Sequence, residues 1–203
     1  MASTKADEGF FQEFSKLPPP LVPTSLQVMK FSGHYLKIEE VKKSFDWPGF
    51  KNGVSNYKGD DLTFDVFSET TINQGTVSVQ SMVKKIVDFL AKALAVTIDT
   101  EALAATIEAT FTNLKSAKSN GWADFSSSSH QSNSSWEYRI QFAVPNQDLT
   151  DFFWSLVTTI KLEADIQEES SWWGLQSSTE KNFSATIDAM RLVVMKGFKD
   201  PGN

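Results

Sequence analysis

A helical repeat of hydrophobic residues occupies the middle of the chain. Four apolar residues recur every four positions on one face of a cylinder and predict an amphipathic helix over residues 80–95: Met82, Ile86, Leu90 and Leu94. A second apolar series predicts another helix over residues 100–115: Leu103, Ile107, Phe111 and Leu114. Because only a short link separates the two series, we expect an antiparallel helical hairpin.

Weaker helical signals precede this hairpin. The proline-rich stretch from Pro18 to Pro23 predicts an extended spacer, because proline lacks a backbone N–H and fixes its own backbone. Thr24 with Gln27 three residues later is typical of a helix start, and Val41–Phe45 predicts a second short helix. We therefore expect a tail and spacer over residues 1–23, one domain over 24–198, and a short tail over 199–203.

After Asn120 the hydrophobic period changes to two, which is the period of a β-strand. One predicted strand carries apolar residues at alternate positions: Trp136, Tyr138, Ile140 and Phe142. A longer one, over residues 152–166, places its apolar residues on the even-numbered face: Phe152, Trp154, Leu156, Ile160, Leu162 and Ile166. Its odd-numbered face is predicted to be polar, with Ser155, Thr159, Lys161, Glu163 and Asp165.

Other strand signals are shorter. Leu62–Val66 alternates before an apparent turn at Asn73–Gly75, and a last pair of strands is predicted near Trp172–Ser178 and Phe183–Met195. An ordinary strand has about 5 or 6 residues. The predicted strand over 152–166 is therefore unusually long.

The amino-acid composition excludes several classes of partner and of catalytic site. Among 203 residues, 19 Lys plus Arg against 25 Asp plus Glu give a net charge of −6, so nucleic acid is not an expected partner. The chain has no cysteine and only two histidines, which argues against a thiol nucleophile or a His-rich metal site. No glycine-rich phosphate loop is present. We predict no catalytic residue, no metal and no cofactor, and hence no enzyme.

Six tryptophans leave three uses open: core packing, stacking on sugar rings, or contact with lipid headgroups. Trp136 and Trp154 are in phase with apolar strand faces, which favours the core. For Trp172 and Trp173, a place in the core and a surface contact are equally favoured. A carbohydrate-binding module, a lectin that uses exposed tryptophans without inserting into lipid, is therefore one hypothesis for the function.

Several stretches together resemble the Cyt family of cytolytic delta-endotoxins, and within it the volvatoxin-like fungal cytolysins. They are, in chain order, residues Thr76–Val83, Ala109–Leu114, Trp136–Asn146 and Asn182–Met190. The similarity in order and spacing extends over roughly residues 24–198. The stretch Ser170–Gly174 and the lack of cysteine favour the fungal type.

This resemblance implies an α/β protein with α+β connectivity: a three-layer sandwich in which two helical hairpins flank a largely antiparallel sheet with long late strands. It also implies a non-enzymatic, haemolytic or cardiotoxic cytolysin that binds phospholipid, forms homo-oligomers and permeabilises membranes, with a detergent-like action as the rival model. No secretory signal is visible near Met1. We expect a soluble protein, stored or released without one, that acts on target cells from outside.

The long strands supply the candidate site. A membrane-spanning strand needs about 9 to 11 residues, which residues 152–166 exceed. The apolar residues of this strand and of the strand beginning near Trp136 are the candidates for lipid contact, and Lys161, Glu163 and Asp165 are the candidates for a pore lumen. Trp172 and Trp173 are candidates for lipid or subunit contact. In water, the helices over 80–95 and 100–115 would cover the sheet and then swing away.

Overall fold

The computed structural model describes residues 17–39, 42–95, 98–112, 123–127 and 133–202. Its helices are α1 (Val22–Gly33), α2 (Trp47–Asn56), α3 (Val79–Leu94), α4 (Thr100–Thr112) and the one-turn α5 (Glu169–Trp172). Its strands are β1 (Leu36–Glu39), β2 (Lys42–Phe45), β3 (Leu62–Ser78), β4 (Ala123–Ser127), β5 (Ser134–Pro145), β6 (Phe152–Ala164) and β7 (Glu180–Met195).

Five of these strands form one antiparallel sheet in the order β3-β7-β6-β5-β4, and β1 pairs with β2 separately. Helices combined with an antiparallel sheet of long strands confirm the predicted fold class. The chain divides into two compact units. Unit 1 comprises residues 1–68, 140–158 and 189–203, and unit 2 comprises residues 69–139 and 159–188, so four strands contribute a segment to each.

Unit 1 is built around aromatic rings. Eight of them form what we call the aromatic cluster, with neighbouring ring centroids 4.7–6.5 Å apart: Phe31, Tyr35, Phe45, Trp47, Phe50, Tyr57, Phe67 and Phe198. Phe31 of α1 and Phe50 of α2 share one buried core with Phe153 and Val157 of β6. Edge-to-face ring pairs of this kind add stabilisation beyond the burial of area.

Polar contacts fix the C-terminal segment within unit 1. The carboxylate of Asp200, only 1% exposed, lies 2.6 Å from Nε2 of His34, which directly follows α1. The backbone N–H of Asp200 donates to the Gln27 side chain, and that of Gly197 donates to Thr24 Oγ1. His34 therefore has a structural partner in Asp200.

The helical hairpin of unit 2 is confirmed. α3 packs against α4, and its four-residue stripe of Met82, Ile86, Leu90 and Leu94 is fully buried. Ser78 caps α3 by accepting the N–H of Ser81, and α3 ends at Ala95, which adopts a left-handed conformation. Leu103, Ile107 and Phe111 of α4 are buried, whereas Leu114 lies outside the described residues.

Two early predictions are wrong. Lys42–Phe45, part of the predicted second helix, is strand β2, because it pairs with Leu36–Glu39 and its backbone groups bond across that pair. The proline-rich stretch is not wholly extended either. Pro19–Leu21 forms a 3₁₀ turn and α1 begins at Val22, with Pro23 in the first turn, where a missing N–H costs nothing.

Three strand boundaries also differ from expectation. β3 runs for 17 residues through the predicted turn at Asn73–Gly75, with Gly75 alone taking a positive φ of 70°. Residues near Trp172–Ser178 form α5 and turns rather than a strand. β6 ends at Ala164, so it has 13 residues instead of 15.

Strand β7 changes its buried side partway along its length. In its unit 2 segment the odd-numbered residues Phe183, Ala185 and Ile187 are buried, and so is Ala189, the first residue of its unit 1 segment. In its unit 1 segment the even-numbered residues are buried: Met190, Leu192 and Val194. The change occurs between Ala189 and Met190, one residue after the chain passes from unit 2 to unit 1.

Candidate functional site

The predicted lipid-contact residues of β5 and β6 lie mostly inside the protein. Eight of the ten are at most 6% exposed: Trp136, Tyr138, Ile140, Phe142, Leu156, Ile160, Leu162 and Ile166. Only Phe152 and Trp154 are half-buried. These eight side chains cannot meet lipid in this conformation, so membrane contact through them requires a rearrangement.

The predicted polar face of the long strand is wrong for the first half of β6. Phe153 and Val157 occupy odd positions there and belong to the core of unit 1, and Ser155 and Thr159 are buried as well. Small hydroxyl side chains fit a buried strand, so their polarity did not indicate exposure.

The polar face begins only in the unit 2 segment of β6. There Lys161 and Asp165 are exposed and Glu163 is half-buried. The carboxylate of Asp165 accepts the backbone N–H of Asn182 at 2.9 Å, which holds it beside the start of β7. Lys161 and Glu163 therefore lie on the one part of β6 whose outer face is polar, and Asp165 directly follows the strand.

Within unit 2, α4 covers strand residues through a small set of contacts. Thr110 Oγ1 lies 2.6 Å from the hydroxyl of Tyr138 on β5, and the ring of Phe111 meets Phe183 of β7 edge-on at 5.8 Å. Ser177, just before β7, donates to the carboxylate of Glu108. The hairpin and these strand segments thus bury each other's apolar faces.

The tryptophan pair divides between core and surface. Trp172 is fully buried, its Nε1 donates to Ser134 Oγ at 2.7 Å, and its ring packs edge-on against Trp136 at 6.4 Å. Ser134 Oγ in turn donates to the carbonyl of Ile166. Trp172 is therefore a core residue, which is one of the two roles the sequence left open for it, whereas Trp173 is 37% exposed.

The side of α3 opposite its apolar stripe carries four exposed charged residues: Lys84, Lys85, Asp88 and Lys92. The unit 2 part of β3 was missed, because Asn73–Gly75 resembles a turn. Its signal was an alternation in which Thr70 and Ile72 are half-buried while Glu69, Thr71 and Asn73 are exposed. Across the described ranges, no helix combines the length and apolar character needed to cross a bilayer.

Comparison with known proteins now decides the family. A family sequence model described as Bacillus thuringiensis toxin matches residues 54–197, which include β3 to β7 and the α3–α4 hairpin. The chain belongs to the Bacillus thuringiensis toxin family. Members of this family are toxins rather than enzymes, and membership supports a cytolytic toxin.

Two solved structures share the fold. One, titled delta-endotoxin, is 17% identical with a TM-score of 0.77, and the match covers 92% of this chain and 86% of that one. The other is the activated Cyt2Ba monomer from Bacillus thuringiensis subsp. israelensis, which is 15% identical with a TM-score of 0.75 over 90% of this chain and 98% of that one. No curated protein sequence matches.

Proposed function

We propose that this protein is a cytolysin that binds phospholipid directly, self-associates on the membrane and permeabilises it by inserting strands. The observation that carries the proposal is the burial of the candidate strand residues together with the α3 stripe. In aqueous solution each apolar face is covered by other parts of the protein. Each face becomes available to lipid once the hairpin and the strands separate. Lipid would then take the place of the protein partner.

Strand length supports insertion. β3, β5, β6 and β7 have 17, 12, 13 and 16 residues, all above the roughly 9 to 11 that a membrane-spanning strand needs. A bilayer core supplies no hydrogen-bonding water, so inserted strands must stay paired with one another. The existing pairing of β7, β6 and β5 already meets that condition.

Helix α4 of the hairpin is weakly held on the strands and can separate from them. α4 contains four alanines and four threonines among its 13 residues, so much of its contact surface is small side chains with little dispersion energy each. Its polar contacts to the strands are the Thr110–Tyr138 and Glu108–Ser177 hydrogen bonds. Separation of the hairpin therefore breaks two side-chain hydrogen bonds.

In the inserted state, Lys161, Glu163 and Asp165 would line the lumen, and Trp173 would contact lipid or a neighbouring subunit. Because the net charge is −6, attachment would rely on apolar and aromatic contact more than on anionic lipid. Action from outside the target cell and the volvatoxin-like fungal type remain part of the proposal. The latter is supported by the resemblance at Ser170–Gly174 and the absence of cysteine.

A reversible lock tests the separation step. Glu108→Cys with Ser177→Cys places two thiols where a hydrogen bond now joins α4 to the start of β7, and the natural chain adds no competing cysteine. A short, cleavable bismaleimide should abolish dye release from phosphatidylcholine vesicles, and cleavage should restore it. A matched lock within unit 1, Asp65→Cys with Arg191→Cys, replaces an ion pair of 2.7 Å and should leave release intact.

Full dye release by the verified Glu108–Ser177 cross-linked protein would contradict hairpin separation. The carbohydrate-binding alternative is tested in the same assay. Burial of Trp172 removes one of its two proposed stacking rings, and a sugar-only binder has no reason to release dye from vesicles without glycolipid. Absence of leakage from pure phospholipid vesicles, with binding to glycan surfaces, would favour that alternative.

A further inference from the structure

The geometry points to the outer edge of β3, over residues Glu69–Gln74, as the surface through which two copies of this chain pair strand to strand on the membrane. We call these residues the β3 edge segment. The inference rests on the proposed function, because it names the partner and the surface for self-association. It is carried by the position of β3, its composition and its length.

β3 is an edge strand among the strands that the structure describes. The sheet order places β7 on one side of β3 and no described strand on the other. An edge strand presents a row of backbone N–H and C=O groups that another chain can pair with, and proteins usually protect such edges with charge, proline or a bulge. The question is which part of β3 has that protection.

The unit 1 part of β3 is protected. Asp65 accepts a hydrogen bond from Arg191 Nε at 2.7 Å, and the ammonium of Lys51 lies 3.5 Å from the centre of the Phe67 ring. Charged side chains of this kind hinder the approach of another strand. Edge pairing in unit 1 is therefore disfavoured.

The β3 edge segment has none of these features. It contains no lysine, no arginine and no proline, and Glu69 is its sole charge. Three consecutive β-branched residues, Thr70, Thr71 and Ile72, favour the extended conformation. A six-residue segment with a β-branched centre, a single charge and no proline shares these features with segments that pair with other strands. Gly75, with its positive φ, ends the regular stretch.

A second copy of this chain matches the segment better than a charged partner does. With one charge in six residues, the segment offers nothing to recognise a basic or acidic peptide. An antiparallel pair of identical segments puts Glu69 of each copy opposite the far end of the other, so like charges do not meet.

Charge reversal tests the pairing. Thr71 is exposed, so both Thr71→Lys and Thr71→Glu should fold normally. In a two-fold pair each variant alone brings like charges together, and we expect dye release per bound protein to fall about ten-fold, while an equal mixture recovers most of it. Thr63→Lys and Thr63→Glu are matched controls on the exposed unit 1 part of β3 and should leave release unchanged.

Cysteine trapping provides a second readout that does not depend on activity. Because the chain lacks cysteine, any disulfide in Thr71→Cys or Asn73→Cys joins two copies. On phosphatidylcholine vesicles, mild oxidation should give a reducible dimer for at least one of these variants and none for Thr63→Cys. Both introduced thiols should react with a maleimide in solution, before vesicles are added.

The outcomes separate the two proposals. If the unmodified protein releases no dye, the proposed function fails. If it releases dye, yet Thr71→Lys and Thr71→Glu each match it and neither cysteine variant dimerises, pairing at the β3 edge is wrong while the function stands. Thiols at positions 71 and 73 that resist maleimide in solution would show that another part of the same chain covers this edge, which also overturns the inference.

Discussion

The two units of this toxin hold their helices to their strands by different means. In unit 1 the rings of α1 and α2 interlock in the aromatic cluster, and the Asp200–His34 contact ties the C-terminal segment to the end of α1. In unit 2 the hairpin presents aliphatic side chains, and its described ring contact with a strand is Phe111 with Phe183; the other helix–strand ring pair of this unit, Trp172 with Trp136, involves α5 and not the hairpin.

The difference between aromatic and aliphatic contacts indicates which unit separates more easily in lipid. Lipid tails are as apolar as leucine, so an aliphatic stripe such as that of α3 loses little when it leaves protein for lipid. Interlocked rings lose directional contacts that lipid does not replace. We therefore expect unit 2 to open first, before the helices of unit 1 leave their strands.

The largest effect should come from placing lysine at odd positions of β6 in each unit. Val157→Lys buries an ammonium without a partner in unit 1 and should cost several kcal/mol, so we expect no cooperative thermal unfolding. Glu163→Lys, half-buried in unit 2, should fold normally.

If β6 lines the pore, Glu163→Lys should also shift the zero-current potential of planar bilayers toward anions. The shift should be larger at low salt, because wall charges are screened over about 8 to 10 Å near physiological ionic strength. An unchanged potential with persistent conductance would favour the detergent-like model.

The next largest difference between the two units should come from removing one buried aromatic ring in each. Phe50→Ala takes away the ring that meets Phe31, Tyr35 and Phe45, and should cost about 3–5 kcal/mol in urea unfolding. Phe111→Ala, with one ring partner, should fall at the lower end of that range. Only Phe111→Ala should speed dye release per folded molecule; equal acceleration by Phe50→Ala would remove the distinction between the units.

Helix caps provide a milder comparison. Asp99 accepts the N–H groups of Glu101 and Ala102 at 3.1 Å at the start of α4, and Asp99→Ala should cost about 1 kcal/mol while speeding leakage. Asp46 caps α2 through the N–H of Gly49, which, with Lys37, holds the pKa of Asp46 below its usual value. Asp46→Ala should lower the melting temperature without speeding leakage, and the reverse order would assign the moving part to unit 1.

The exposed lysines of α3 should matter less. Replacing Lys84, Lys85 and Lys92 by glutamine should leave phosphatidylcholine vesicle binding within a few-fold, because these side chains keep the helix hydrated rather than recruit lipid. Co-sedimentation measures this directly. A ten-fold loss, about 1.4 kcal/mol, would instead make them headgroup contacts.

The smallest effect concerns alkaline pH in unit 1. Burial, and then the hydrogen bond that Tyr57 donates to Asp61, raise the pKa of Tyr57 to about 12. An unfolded tyrosine titrates near 10, so between about pH 10 and 12 the unfolded chain has lost a proton that the folded chain keeps, and stability falls as pH rises. Tyr57→Phe should flatten the melting temperature over that window, and an unchanged slope would place the alkaline loss elsewhere, for instance at Tyr35, whose pKa is also raised.

Periodicity predicted those elements whose identity depends on burying one face. The α3 stripe is the best example, because four residues at a spacing of four allow one helical face and little else. Lys42–Phe45 was mistaken for helix because four residues show no period, and pairing with β1 decides its conformation. β3 was cut short because Asn73–Gly75 has turn chemistry, yet a single left-handed glycine fits inside a strand.

The candidate site was predicted only in part, for a related reason. Lys161, Glu163 and Asp165 identified the polar segment of β6, since charges are rarely buried. Ser155 and Thr159 were wrongly predicted to be exposed, because short hydroxyl side chains occur on both buried and exposed strands. Nothing in the sequence distinguished Trp172 from Trp173, since the hydrogen bond to Ser134 joins residues 38 positions apart.

The change of buried side within β7 has a consequence for amide hydrogen exchange. β7 lies between β3 and β6, so its backbone amides are paired along both edges, and exchange requires local opening. Amides of residues 183–188 lie in unit 2, and those of residues 190–194 lie in unit 1. If vesicles remove the protection of the first group but not of the second, unit 2 opens while unit 1 stays closed. The two groups lie on one strand, so the comparison needs no substitution and no attached probe.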